Sequence, residues 1–345
     1  MPFKIIRNDI TKVKADAIVN TANPLPTYGG GTDTAIYLAA GWEQLLEERE
    51  KIGVIEPGQA ASTPAFNLDA KYIIHTVGPL WEGGYFDERD VLHACYRNSL
   101  NLAAELSCKS IAFPLIATGV YGFPRDEALQ IALAEINSFL LEHDMRVILV
   151  VFDETTFELS AKLVEDIEEF IDGEAEEAIL QAEYAVDLLY DSQSRSAYMT
   201  QETRRRKKRE AKNIALNKST TPEQTLDDML ANTGDTFQQR LLQLIDESGM
   251  KDSEVYKRAN ISKQLFSKIR SDVNYRPKKK TAVALAIALE LDLPTMIDLL
   301  QRAEIAFSPS SKADQIITYY VTHKKFNIIE INAALFDYGE SLLGY

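Results

Sequence analysis

The sequence predicts a three-layer α/β/α unit on a mostly parallel, mixed sheet, followed by a charged helical linker and an all-α, helix-turn-helix-like module. Three observations carry this. Short apolar runs alternate with helical patterns through the first 172 residues, as strands and covering helices do in α/β folds. Two glycine-rich turns stand where such strands end, the edge at which these sheets bind ligands. From Thr236 onward the apolar spacing is helical throughout. A length of 345 residues suits about two domains, with expected boundaries at 1–172, 173–234 and 235–345.

Strand-like runs fall at Phe3–Ile6, Ala17–Val19, Tyr72–Val77, Ile111–Ile116 and Val147–Phe152, and helical patterns at 32–49, 87–106, 125–142 and 156–171. Ile111–Ile116 carries almost no polar residue, as expected of a strand covered on both faces. Beyond Asp172, Gly173–Tyr190 has helical spacing and Thr203–Glu210 is a dense basic run, either a solvated face of a connecting helix or a contact for nucleic acid or an acidic partner. Residues 213–234, with Pro222, read as a linker. Five short helices follow at Phe237–Glu247, Asp252–Ala259, Ser262–Ser271, Lys279–Leu291 and Leu293–Ala303, and Lys312–Tyr345 reads as two amphipathic helices.

The formal net charge of −15 sits mainly on the first unit. Such a chain is a poor general nucleic-acid binder unless its cations are clustered. Cys95 and Cys108 are the only cysteines and have no CxxC spacing, which suits a reducing compartment. The first residues open a strand at once, without a targeting pattern, and no run approaches the roughly 20 apolar residues of a membrane span. A cytoplasmic location without a membrane partner is therefore expected. His75 reads as a core residue, while His93, His143 and His323 are isolated. No grouping has metal-ligand spacing, and no metal or cofactor is expected.

The first glycine loop follows the apolar strand of Ser110–Pro124, where Gly119 and Gly122 permit turn conformations that aim successive N–H groups into one concavity ahead of a helix. The second follows Asp16–Asn23: Gly29, Gly30 and Gly31 enter an Ala-rich helix. Two such loops imply a diphosphate clamp. Neither contains Lys or Arg, so the clamp would bind through backbone N–H groups.

Asn8-Asp-Ile-Thr11, Val19-Asn-Thr-Ala-Asn23, Gly29-Gly-Gly-Thr-Asp33, Ala39-Ala-Gly41, His75-Thr-Val-Gly-Pro79 and Ala117-Thr-Gly-Val-Tyr-Gly122 together resemble a macrodomain of the MacroD type over about residues 1–172. The resemblance implies ADP-ribose as ligand or substrate, and hydrolysis of ADP-ribosylated acidic side chains or of O-acetyl-ADP-ribose. It implies that Asp9 accepts the adenine amino group, a role suited to an acceptor-only carboxylate, with Ile10 beside it. Phe152, or alternatively Phe157, would lie over the base. Gly29, Gly30, Gly31, Thr118, Gly119 and Val120 would hold the diphosphate, and Tyr121 would pack on the distal ribose. Asn20 joins the ligand-binding set. Asn23 and Asp33 would form the catalytic pair, one contacting the distal ribose and the other orienting a water; Asp33 would equally serve as a helix cap. Four residues depart from the family pattern: Asn8, Tyr28, Thr34 and Tyr37. Tyr28 and Thr34 place extra side chains beside the distal-ribose pocket.

Ser253–Arg270 has the form of a helix-turn-helix, turning at Asn260, and resembles the Cro and lambda-repressor type over about residues 236–306. Nine basic residues and one acid lie between Lys257 and Lys280. Lys263, Gln264, Ser267, Lys268, Arg270, Lys278, Lys279 and Lys280 are the expected DNA contacts. The same helical unit would also serve to bind protein. Two functions stay open: a hydrolase joined to a helical module, or a sensor of ADP-ribose that controls DNA or protein binding.

Overall fold

The computed structural model describes residues 2–27, 29–152, 157–186 and 235–344. Its sheet has six strands: β1 (Phe3–Arg7), β2 (Ala17–Thr21), β3 (Ala60–Pro64), β4 (Tyr72–Thr76), β5 (Ser110–Pro114) and β6 (Arg146–Val151). They lie in the order β1-β6-β5-β2-β4-β3. All pairings are parallel except that of β3 with β4. Five strands were expected and β3 was not, because Ala60-Ala-Ser-Thr-Pro64 lacks the β-branched, apolar texture of a strand.

Alternation along each strand divides its side chains between the two faces. Ile18, Ile73, Ala112 and Ile148 face one layer, covered by α1 (Thr32–Ala40) and α2 (Trp42–Ile52). Val19, Ile74, Ile111, Phe113 and Leu149 face the other, under α3 (Glu88–Glu105) and α4 (Arg125–Glu142). The pattern over 32–49 is thus two helices. Gly41 breaks it at φ 110°, closing α1 by donating its N–H to the Tyr37 carbonyl at 3.2 Å.

The 156–171 pattern becomes α5 (Ala161–Gly173), capped by Ser160, and helix resumes over 175–186. The basic run Thr203–Glu210 and the linker over 213–234 lie outside the described residues. The C-terminal part is all helical: α6 (Phe237–Ser248), α7 (Asp252–Arg258), α8 (Lys263–Ser271), α9 (Lys279–Ala288), α10 (Leu293–Gln301), α11 (Lys312–Thr322) and α12 (Ile328–Asp337). These match the seven expected helices to within a few residues.

Helical and sheet parts share one apolar core. Phe170 of α5 meets Tyr319 of α11 edge-on at 5.6 Å, and Phe157 meets Phe336 of α12 at 5.0 Å. A polar tie joins them at the sheet edge. β1 has β6 on one side only, and an unpaired edge strand is a template for unwanted pairing. Asn260, the turn residue between α7 and α8, covers it. Its Oδ1 accepts the Phe3 N–H at 2.8 Å and its Nδ2 donates to the Phe3 carbonyl at 3.1 Å. Asn260 holds a left-handed φ of 52°, a conformation Asn tolerates better than most residues. Asn260→Gly keeps that backbone and removes both bonds. Exchange of the Phe3 amide should then accelerate by about 10- to 100-fold, since each buried group left unpaired costs about 1–3 kcal/mol. An unchanged rate in hydrogen-exchange mass spectrometry would show that the turn does not hold β1.

Candidate functional site

The parallel strands deliver the expected ligand-binding residues to one edge in a fixed sequence. Asp9 follows β1, Phe152 follows β6, Thr118–Gly122 follows β5, and β2 ends in Asn20–Asn23. Neighbouring strands stand about 4.8 Å apart, so the row from β1 to β2 spans about 14 Å.

At the β1 end, Asp9 caps a short 3-10 turn (Ile10–Lys12). Its Oδ1 accepts the Thr11 hydroxyl at 2.7 Å and the Thr11 N–H at 2.9 Å. These bonds, the hydroxyl first, hold its carboxyl below the usual range, so the group is an anion at neutral pH. The Ile10 side chain belongs to the core, which leaves only its backbone to a ligand. Phe152 is 71% exposed, whereas Phe157 is buried; of the two rings considered for adenine, only Phe152 offers a face.

The glycine loops face each other. A Cβ on Gly30 would stand 3.7 Å from Val120 Cγ2, so the two loops lie side by side with room for about one methyl group between them. The Thr118–Gly122 loop is set by a left-handed Gly122 at φ 67° and by the Phe123 N–H donating to the Ala117 carbonyl at 3.0 Å. Freedom expected of Gly119 is instead taken up at Ala117, whose φ is 64°.

Asp33 sits behind the other loop, 2% exposed. Its Oδ1 accepts Asn20 Nδ2 at 2.6 Å, and its Oδ2 accepts the Gly29 N–H at 2.5 Å. The Thr34 hydroxyl donates to the Gly29 carbonyl. Residue 34, one of the departures, thus clasps the loop. Tyr37, another, is buried against Trp42 with ring centroids 5.3 Å apart. Tyr28 lies outside the described residues. Helix α1 begins at Thr32 after Gly31, with no side-chain cap, so Asp33 is not the helix cap that its residue type allowed. Burial raises its pKa against the opposing pull of Asn20, Gly29 and Arg49.

Asn20 is fully buried and shared. Its Nδ2 also lies 3.2 Å from His75 Nδ1, while His75 Nε2 lies 3.0 Å from Thr63 Oγ1. With Nδ2 as the donor, His75 Nδ1 accepts and its proton sits on Nε2, facing Thr63. Asn20 Oδ1 is buried with no hydrogen-bond partner among the described residues. Asn23 turns its Oδ1 to the Leu25 N–H at 3.2 Å, leaving its amide nitrogen uncommitted to that turn.

Sequence reasoning missed Arg49. It is almost fully buried and donates to the carbonyls of Asn23 at 3.1 Å and Pro24 at 3.2 Å, and to that of Gly53. It looks like one more charge in Glu47-Glu-Arg-Glu-Lys51, yet it falls four residues after the buried Leu45, on the inward face of α2.

Of the expected DNA contacts, Lys263, Gln264, Ser267, Lys268 and Lys278 are exposed. Arg270 is exposed too and forms a surface pair with Asp252 at 2.5 Å, while Lys279 pairs with the buried Asp314 at 2.5 Å. Lys280 is only partly exposed. Among the described residues no three His, Cys, Asp or Glu cluster as a metal would need, and no helix is long and apolar enough to cross a membrane. A groove of about 690 Å³ beside α5 is lined by Glu158, Glu165, Glu168, Glu169 and Asp337 among others, a charge that repels a diphosphate.

The Macro domain family model matches residues 19–132. A macro domain-containing protein of Mesorhizobium japonicum is 47% identical over 164 residues, covering 47% of this chain and 93% of its own length. An O-acetyl-ADP-ribose deacetylase of Citrobacter rodentium is 47% identical over 165 residues, covering 46% and 93%. A solved Oceanobacillus iheyensis macrodomain with ADP is 41% identical, covering 44% of this chain and 84% of its own, with a TM-score of 0.42. The chain belongs to the macro domain family.

Burial first, and Arg49 second, push the His75 pKa down to about 3, against about 6.5 when unfolded. Between those values the unfolded chain binds the proton and the folded one does not. The stability due to the neutral ring is therefore whole above pH 6.5 and lost progressively as pH falls toward 3. The stability advantage of wild type over His75→Gln should shrink by about 1.2 kcal/mol from pH 6 to pH 5. A difference independent of pH in urea unfolding would contradict a buried neutral ring.

Proposed function

We propose that the chain is an ADP-ribose-binding hydrolase that deacetylates O-acetyl-ADP-ribose or removes ADP-ribose from modified acidic side chains. The observation that carries this reading is the pair of glycine loops lying side by side at Gly30 and Val120, with the Asp9 carboxylate and Phe152 ring to one side and Asn23 with Asp33 to the other. That layout suits an adenine, a diphosphate and a distal ribose in turn. Relatives at 47% and 44% identity bear the name O-acetyl-ADP-ribose deacetylase.

In this reading the diphosphate lies on backbone N–H groups of both loops, and the Asn23 amide donates to a hydroxyl of the distal ribose. Water adds to the ester carbonyl, the bond to the ribose oxygen breaks, and that oxygen takes the proton, relayed by a diphosphate oxygen of the substrate. Asp33 is a positioning residue. Both of its oxygens are already bound and it faces the core, so it serves by fixing Gly29 and Asn20. Geometry of this kind supplies much of a rate enhancement.

A second reading adds regulation through the helical unit. β1, which leads to Asp9, is the strand held by Asn260, and Arg7 lies over the Phe336 ring of α12 at 5.4 Å. Occupancy of the adenine end would in this reading bias what α8 presents, whether to DNA or to a protein partner.

Calorimetry should give micromolar or tighter binding of ADP-ribose and much weaker binding of AMP, with Asp9→Ala costing about 1.5–3 kcal/mol as a lost hydrogen bond to a charged group. Turnover of O-acetyl-ADP-ribose should fall by about 100-fold in Asn23→Ala and in Asp33→Asn, the scale of a 1 Å misplacement, with ADP-ribose affinity changing far less. Equal affinities for AMP and ADP-ribose, or full turnover in either variant, would contradict the reading. For the helical unit, Lys263, Lys268 and Lys278 are exposed. Replacing all three by Ala should make the log–log salt slope of duplex-DNA binding by the full chain shallower by about 2.7, at about 0.9 per phosphate. No mobility shift at low salt and tens of micromolar protein would leave a protein partner.

A further inference from the structure

The loop between β4 and α3 carries three large apolar side chains in water: Tyr85 is 85% exposed, Phe86 67% and Leu80 57%. Single exposed apolar residues are ordinary, but this loop is held firmly. Glu88, almost fully buried at the start of α3, accepts the N–H groups of Glu82 at 3.1 Å, Gly84 at 3.0 Å and Phe86 at 2.6 Å. Burial alone would push its carboxyl up, yet these donors outweigh it and hold the pKa down at about 2. Beneath the loop, the Arg89 guanidinium lies over the Trp81 ring at 5.2 Å and pairs with Glu127 at 2.8 Å. Trp81 packs against Phe123, with centroids 4.6 Å apart. Gly84, at φ 83°, lies so close to Arg89 and Trp81 that a Cβ would meet them at 2.5 and 3.0 Å.

The same loop is joined to the cleft. The Trp81 backbone N–H donates to the Tyr121 carbonyl at 2.9 Å, so the base of the apolar loop is tied to the residue assigned to the distal ribose. We infer that Leu80, Tyr85 and Phe86 form a docking surface for the polypeptide that carries the ADP-ribosyl group, favouring modified residues flanked by apolar side chains. This rests on the reading of the cleft given above. A free nucleotide is polar and charged and gains nothing from three apolar side chains. A polypeptide leaving the cleft at the distal ribose would meet them first. Because the loop is already ordered, a chain packing on it meets little entropic opposition.

A stable probe is a synthetic peptide bearing one aminooxy group condensed with the distal ribose of ADP-ribose, flanked either by Leu and Phe or by Ser. Titrated against the full chain, the apolar conjugate should bind about tenfold tighter than free ADP-ribose, roughly 1.4 kcal/mol, and the Ser conjugate no tighter. In Tyr85→Ser/Phe86→Ser the gain should vanish while affinity for free ADP-ribose stays unchanged, which also reports an intact fold. An apolar conjugate that gains nothing, a Ser conjugate that gains as much, or a gain that survives the double substitution would each overturn the inference with the cleft reading intact. Failure of free ADP-ribose itself to bind the wild-type chain would overturn both.

Discussion

A single buried carboxylate ties the cleft together. Asp33 takes one hydrogen bond from the side chain of β2 and one from the backbone of the glycine loop, so strand end, loop and helix start are fixed by one group. An isolated carboxylate this deeply buried is costly. Here the two donors satisfy it, and Arg49, which binds the Asn23 and Pro24 carbonyls, adds a favourable charge nearby. Removing either donor would leave the other partners arranged around an unsatisfied anion. The chain Thr63, His75, Asn20, Asp33 extends this order inward to β3, and makes the neutral ring of His75 part of the support for the loop. A group so engaged is well suited to hold geometry and poorly suited to exchange protons with solvent.

The alternation of apolar runs made five of the six strands legible, and the glycine loops with their flanking motifs made the cleft legible as a row of residues. β3 was not, because Ala60–Pro64 gains its strand conformation from pairing with β4 and not from its own propensity. The split of the helical pattern over 32–49 turned on Gly41, which a spacing of apolar residues passes over. Arg49 and Glu88 did not stand out in the sequence, because composition says nothing about which charged residue will find backbone partners in the core. Asp33 was read as facing a water; its inward direction depends on the Gly29 amide and Asn20, a contact that no linear spacing reports.

The helical unit shows how one residue can serve two levels of structure. Asn260 supplies the turn expected between two helices, in a left-handed conformation, and through its side chain binds both backbone groups of Phe3 on the edge strand of the sheet, 257 positions earlier in the chain. Charge followed a similar pattern. The cluster of cations between Lys257 and Lys280 is real in sequence, but Arg258, Arg270, Arg276 and Lys279 are matched by Glu290, Asp252, Glu304 and Asp314. The positive charge around α8 is therefore partly offset by acids that sequence spacing does not place beside it.

The central claim is that the two glycine loops form a diphosphate clamp held in shape by an inward-facing Asp33. A crystal structure of the chain with ADP-ribose tests it most directly. The account predicts diphosphate oxygens within hydrogen-bond distance of backbone N–H groups from both Gly29–Gly31 and Thr118–Gly122, with Asp33 still bound to Gly29 and Asn20. A diphosphate contacting only one loop, or an Asp33 side chain rotated out to touch the ligand, would contradict it.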